Sequence, residues 1–424
     1  MAKTVIVGGG IGGLAAALAV TRAGRRAGNS AGHRAVVLER ADEFAEIGAG
    51  IQLAPNGLHA LDRLGLGDAV RARAVHIDEL RFMDGVTGAH VASMPLTGAY
   101  RSRFSNPYVV VHRGELHRLL LDACRRSPAV ELRAGSRATG YRQDGSGATV
   151  LLADGGQVAG DAVIGADGIR SAIRRQLVGD GAPRVAGITV YRTVIPMERV
   201  PEELRWNAVT WWAGPGRHFV HYAIAGGRYL NLAPSVENGV TEAFAGVAVD
   251  RDRVRRAFAD LDGTARRLLA LGEDWRSWSL VDRDPVDRWT DGRVTLLGDA
   301  AHPMLHYAAQ GACQALEDAV VLGDLLADGR DGGLDDGTDA IRDRIPDQIP
   351  DRIPDLFEKY HAERHDRTAR ITHAARASTR LWHPAGAEAK ARNEMLSALS
   401  GTALHDHVAW MHGAREFGTT GARR

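Results

Sequence analysis

The chain is short of several things at once. Its 424 residues include two cysteines, Cys124 and Cys313, too few for a disulfide framework or a multi-thiolate metal site, which points to a reducing, cytoplasmic setting. Net charge is nearly absent: 53 basic against 52 acidic side chains leave +1, so neither nucleic acid nor anionic lipid is an expected partner. Lysine is confined to Lys3, Lys359 and Lys390, and the arginine that replaces it carries the same charge and reads as codon usage. No run of about 18 apolar residues occurs, so no membrane-spanning helix is expected. The first residues lack a charged leader with an apolar core and enter structure by residue 4. Seventeen histidines form no paired zinc spacing; His361 and His365 stand i, i+4 on a predicted helix among charged neighbours, which predicts a solvated face and no metal.

What is present is a globular composition, 45% hydrophobic and 25% charged, sufficient for two or three domains. The first forty residues read strand, glycine turn, helix, strand: Thr4–Val7, Leu14–Ala23, Ala35–Leu38. A polar stretch at 24–32 is longer than such a unit needs and reads as a surface insertion. Residues 186–283 change to short β-branched and aromatic runs, predicting an antiparallel sheet with one helix over Val254–Leu271 beneath it. Arg293–Leu297 returns to a buried-strand pattern and leads into a helix from Gln310 to about Ala327. At 344–355 the unit Ile-Pro-Asp recurs every four residues, and proline at that spacing predicts a connector without continuous helix over 328–355. A helical segment, 356–424, follows.

Gly8-Gly9-Gly10-Ile11-Gly12-Gly13 satisfies GxGxxG between a strand and a helix. Gly8 permits the tight turn, Gly10 lets backbone approach a pyrophosphate, and Gly13 allows close helix–strand packing. Glu39 ends the second strand, where a carboxylate accepts ribose hydroxyls. Two further stretches, Val163-Ile-Gly-Ala-Asp167-Gly168 and Val294-Thr-Leu-Leu-Gly298-Asp299-Ala-Ala-His302-Pro303, each place Gly and Asp after an apolar strand.

In this order and spacing the three motifs resemble the single-component FAD-dependent aromatic hydroxylases, which include salicylate and hydroxybenzoate hydroxylases, over most of residues 1–325. The resemblance implies an α/β fold: a doubly wound FAD domain (1–80, 105–185 and 284–327) interrupted by an antiparallel-sheet substrate domain (81–104 and 186–283) and closed by C-terminal helices. It implies FAD as cofactor, NADH or NADPH as a transient hydride donor without a domain of its own, and O2 as co-substrate. The implied product is a ring hydroxylated through a flavin C4a-hydroperoxide, from a small aromatic acid bound by a monomer or homodimer.

Site residues follow from the same resemblance. Gly8, Gly10, Gly13, Glu39 and Arg40 would hold the adenosine and pyrophosphate. Ala49 and Gly50, in Gly48-Ala-Gly-Ile-Gln52, would lie beside the isoalloxazine. Arg113 would contact the cofactor, Asp167 the pyrophosphate, and Asp299 a ribityl hydroxyl. Pro303 would lie against the flavin face, and Gly311 and Ala312 would point N–H groups at its pyrimidine edge. A helix cap for Asp299 and a surface cation for Arg113 are the structural alternatives. His218-Phe-Val-His-Tyr222 resembles the 3-hydroxybenzoate 6-hydroxylase pattern within this group, and period-two alternation sets His218, Val220 and Tyr222 on one face. His218 is expected to accept a phenolic proton, with Tyr222 and His306 orienting the ring. A dehydrogenase of the same fold, an FAD-holding scaffold, and a hydroxylase acting on a larger biosynthetic aromatic remain open at this point.

Overall fold

The computed structural model describes residues 2–26, 33–46, 48, 50–328 and 349–417. Most of the insertion at 24–32, Ala49 and most of the connector expected over 328–355, including the first part of the proline repeat, therefore lie outside the described residues.

Six strands form the first sheet, in the order Thr290–Asp291, Val294–Leu296, Ala162–Gly165, Lys3–Val7, Arg34–Leu38 and Val130–Arg133. All neighbours run parallel except the edge pair joining Thr290–Asp291 to Val294–Leu296. Val5, Ile6, Val36, Val37, Val163 and Ile164 are buried, as expected of parallel strands covered on both faces. Helices Ile11–Arg26 and Gly311–Asp328 pack together and share this core.

The second sheet has eight strands and is built from residues 79–95 and 184–282. Its neighbours are antiparallel except Ala208–Gly214 against Glu79–Asp84, which run parallel. Its two faces divide the work. Phe219, Trp212 and Tyr191 pack outward on Val254, Phe258, Leu268 and Leu269. Val220 and Tyr222 face the other way, towards Val110 and Tyr108. The single helix expected over Val254–Leu271 is instead two, Arg251–Ala257 and Gly263–Ala270. The break comes at Asp262, whose carboxylate accepts the Thr264 amide at 2.8 Å and starts a new helix.

The proline repeat also departs from expectation. Ile349–Ala377 is one helix of 29 residues. Pro350 stands in its first turn, where amides have no intrahelical partner, and Pro354 removes one bond just beyond it. Three further helices, Thr379–Trp382, Gly386–Ser397 and Gly401–His412, follow. His361 and His365 are half-buried rather than solvated, because both rings rest on Trp289, with centroids at 5.3 and 6.1 Å. Among the described residues no helix is long and apolar enough to cross a membrane, and no group of three His, Cys, Asp or Glu is placed to hold a metal ion.

Candidate active site

A cleft of about 1000 Å³ runs from the glycine turn of the parallel sheet to the inner face of the eight-stranded sheet. At its first end the turn is built by steric necessity. Gly8 has φ +111°, and a Cβ there would strike the Ala166 carbonyl; one on Gly13 would strike the carbonyl of Gly8. At Gly10 a Cβ would meet only Glu46 Oε1, at 3.6 Å, so the backbone lies bare to the cleft. Glu39 accepts the Gly9 amide and the Ala41 amide, each at 2.9 Å, one on each oxygen, which leaves a lone pair on both. Arg40 lies exposed beside it and lines the cleft.

Midway, Asp299 is exposed to the cleft and has no hydrogen-bond or ion-pair partner among the described residues. Gly311 and Ala312 open the helix Gly311–Asp328 onto the same space. That helix is pinned from behind. Asp318 accepts the Gly298 amide at 3.0 Å and lies 2.6 Å from His302 Nε2, while Arg364 donates to Asp318 and Glu317 at 2.7 Å each. His302 is thus held in the turn behind the cleft. Burial alone would raise the Asp318 carboxyl, but His302 and Arg364 outweigh it and hold the group at about 2.

Asp167 also lines the cleft, and its oxygens accept from Ser171 Oγ and from the Ala172 amide at 2.7 Å. Burial raises its carboxyl above the ordinary range in spite of these bonds. Arg113 lines the cleft too, held by Glu46 with Nε 2.9 Å from Oε2. Pro303 departs from the expectation that it faces the cleft. It is buried, and its carbonyl accepts the Arg283 amide at 3.4 Å, so the wall begins at Met304.

At the far end three distant segments converge. Arg192, His218, Tyr222, His306 and Tyr307 all line the cleft. The Tyr222 hydroxyl is occupied, donating to the Gly50 carbonyl at 3.2 Å. Gly50 has no side chain for a packing reason: a Cβ would come within 2.5 Å of both Tyr222 and Ile224. The His306 ring lies tilted beside that of Tyr307, with centroids 4.8 Å apart, and burial, then Arg192, drives its pKa down to about 3. Burial, then His383 and His306, pushes His218 well below the ordinary imidazole range. Both rings are therefore neutral hydrogen-bonding groups at physiological pH.

Sequence reasoning missed two residues here. Arg192 Nε is buried without a hydrogen-bond partner, and no carboxylate pairs with the guanidinium among the described residues. Its neighbours are the Trp278 ring, 5.8 Å away, and the cleft itself. The other is His383, whose Nε2 lies 2.9 Å from His218 Nδ1 although 165 residues separate them. Trp382 beside it stacks between Trp211 and Phe82, with centroids at 5.4 and 5.2 Å. No local motif marks either residue. The one available signal for Arg192 was its strand phase, since a charged side chain on a sheet's inner face needs a partner or a ligand.

The comparisons agree with this geometry. A family model described as FAD binding domain matches residues 1–337. The chain is 43% identical over 410 residues to 3-hydroxybenzoate 6-hydroxylase 1 of Aquipseudomonas alcaligenes, covering 96% of this chain and 97% of that one. The chain belongs to the FAD-dependent aromatic hydroxylases. This hydroxylase is also 40% identical to the 3-hydroxybenzoate 6-hydroxylase of Polaromonas naphthalenivorans (strain CJ2), over 96% of its own length and 95% of the relative's. Among solved structures, it is similar to Klebsiella pneumoniae HpxO complexed with FAD and uric acid, with a TM-score of 0.80, 28% identity, and coverage of 99% and 98% of the two chains.

The residues present in the hydroxylase fit FAD. Two free lone pairs on Glu39, bare backbone at Gly10 and an unpartnered carboxylate on Asp299, all lining one cleft, match an adenosine ribose, a pyrophosphate and a polyol chain, the consecutive parts of FAD.

Proposed function

We propose that this monooxygenase hydroxylates a small hydroxybenzoate, 3-hydroxybenzoate being the best-supported substrate, with its carboxylate on Arg192 and its phenol on His218. The observation that carries the reading is Arg192, a cation lining the cleft with no carboxylate paired to it among the described residues. Burying such a charge is unfavourable unless it is paired, and a substrate carboxylate offers a two-pronged partner of matching shape. The names of the two curated relatives, both acting on a hydroxybenzoate, support the same substrate class.

Bound FAD supplies the redox chemistry, taking hydride from NADH or NADPH and passing one atom of O2 to the ring while the other leaves as water. The chain's own part is to make the ring a nucleophile and hold it still. His218, neutral through burial, accepts the phenolic proton; loss of that proton pushes electron density to the position para to the hydroxyl, C6 of 3-hydroxybenzoate. His306 and Tyr307 flank the ring, and Tyr222, tied to Gly50, fixes the wall nearest the cofactor loop. Glu39, Asp299 and the amides of Gly311 and Ala312 hold the cofactor, with Arg40, Arg113 and Asp167 along its path.

Holoenzyme turning over 3-hydroxybenzoate with NADH under air is expected to yield one dihydroxybenzoate per NADH consumed, with the new hydroxyl at C6. NADH oxidation that gives only hydrogen peroxide across a hydroxybenzoate panel, or reduction of an organic acceptor without oxygen, would refute this assignment.

A further inference from the structure

The His218–His383 contact continues outward. His383 Nδ1 lies 3.2 Å from Glu237 Oε2, and the Glu237 side chain is 58% exposed whereas that of His383 is 6% exposed. Three side chains thus form an unbroken path from the cleft wall to solvent. We infer that His218, His383 and Glu237 are a proton relay that carries the phenolic proton of the bound substrate out to water. The inference rests on the His218 reading above and extends it.

Hydrogen-bond polarity gives the relay its direction. An ionised carboxylate only accepts, so His383 Nδ1 must be the nitrogen that bears hydrogen. A neutral His383 then has a bare Nε2, which accepts from His218 Nδ1–H at 2.9 Å. That leaves His218 Nε2 without a proton, and this nitrogen is buried with no partner among the described residues. The exposed carboxylate therefore sets the buried imidazole to present a lone pair rather than an N–H. Without it, His383 is free to donate from Nε2, and His218 would then carry its hydrogen on Nε2 and present a donor to the cleft.

Transfer is balanced at each link. The phenol O–H breaks as His218 Nε2–H forms, His218 Nδ1–H breaks as His383 Nε2–H forms, and His383 Nδ1–H breaks as a Glu237 O–H forms and exchanges with water. No ring carries more than a passing positive charge, which suits a site whose burial disfavours imidazolium. The other titratable groups facing these rings are His306 and Tyr307, at 6.5 and 5.2 Å from His218, with Tyr307 also 6.4 Å from His383 and Arg192 acting on His306. The path is held rigidly. The Gly216 amide donates to the His383 carbonyl at 3.0 Å, and the His383 amide donates to Thr379 at 3.0 Å.

The test mixes FAD-loaded enzyme with 3-hydroxybenzoate in the absence of oxygen and follows proton release with an indicator dye and phenolate formation by ultraviolet absorbance. Glu237→Gln is expected to keep FAD content and substrate affinity but to slow proton release about 10-fold, and His383→Gln about 100-fold, the lower end of the range general for proton-transfer groups. Added imidazole should restore part of the rate to His383→Ala. Wild-type release rates and pH profile in Glu237→Gln, with His218→Ala impaired, would overturn the relay and leave the base intact. Wild-type rates in His218→Ala as well would overturn the base assignment itself. Should His383→Gln fold poorly, the exposed Glu237→Gln variant still decides.

Discussion

Arg364 and Arg192 are both interior guanidinium groups, and their surroundings are opposite. Arg364 is met on every side: its three nitrogens donate to Asp318, Glu317 and Gln314 at 2.7, 2.7 and 2.6 Å. Those carboxylates in turn hold the Gly298 turn and, through Asn56 at 2.7 Å, the helix Pro55–Arg63. Arg192 is met by an indole face and empty space. A fully answered interior charge belongs to the architecture, because its partners are supplied by the same chain. An unanswered one is left for a ligand to pair, and on the reading proposed above that partner is the substrate carboxylate.

Removing Arg364 would break this contrast most severely. Arg364→Met takes a cation from two buried carboxylates, leaving Glu317 with Arg367 and Asn56 and Asp318 with His302, and is expected to destabilise the fold by about 3–5 kcal/mol, read as a large fall in melting temperature and loss of FAD. Arg192→Met, by the same reasoning, should leave the melting temperature unchanged or higher. Its effect belongs on KM for 3-hydroxybenzoate, raised about 10- to 100-fold, with no matching loss for an uncharged phenol of similar shape. Equal losses for both ligands would show that Arg192 does not read the carboxylate.

Acid sharpens the same comparison. His221, His306 and His412 are each held near pKa 3, chiefly by burial, so the unfolded chain takes up protons first as pH falls below about 6.5. Asp318, held near 2 in the fold, adds stability that is present above about pH 4 and is lost as pH falls towards 2. Denaturant melts should therefore be flat above neutrality and decline progressively below about pH 6.5, with Asp318→Asn removing the lowest part of the decline. The smallest effect is reserved for Tyr222→Phe. It deletes a single 3.2 Å bond to Gly50, worth about 1 kcal/mol, and should shift hydroxylation modestly without changing the charge preference set by Arg192.

How far the sequence could be read follows from how local each feature is. Gly8, Gly10, Gly13, Glu39, Gly298 and Asp299 sit in short runs whose strand–turn–helix setting is legible from neighbours alone, and alternation placed His218, Val220 and Tyr222 on one face. Arg192 lies mid-strand in an arginine-rich chain, where strand phase groups it with its alternate neighbours but does not say which face of the sheet is the inner one. His383 reaches His218 across 165 residues, and no pattern of period two or 3.6 registers such a meeting. The two wrong readings of helix length have opposite causes. Apolar spacing concealed the Asp262 cap in one, and proline was weighed without its position in the first turns in the other.

Trp382 and His383 lie beyond residue 337, where the match to the FAD binding domain ends, yet they back the cleft wall from behind, Trp382 stacked on Trp211 and His383 in contact with His218. On the reading proposed above, the residues that hold the flavin and those that back the substrate wall thus come from different stretches of the chain. Exchanging the stretch from Thr379 to Trp382 and its flanks between relatives tests whether that backing sets what the enzyme accepts.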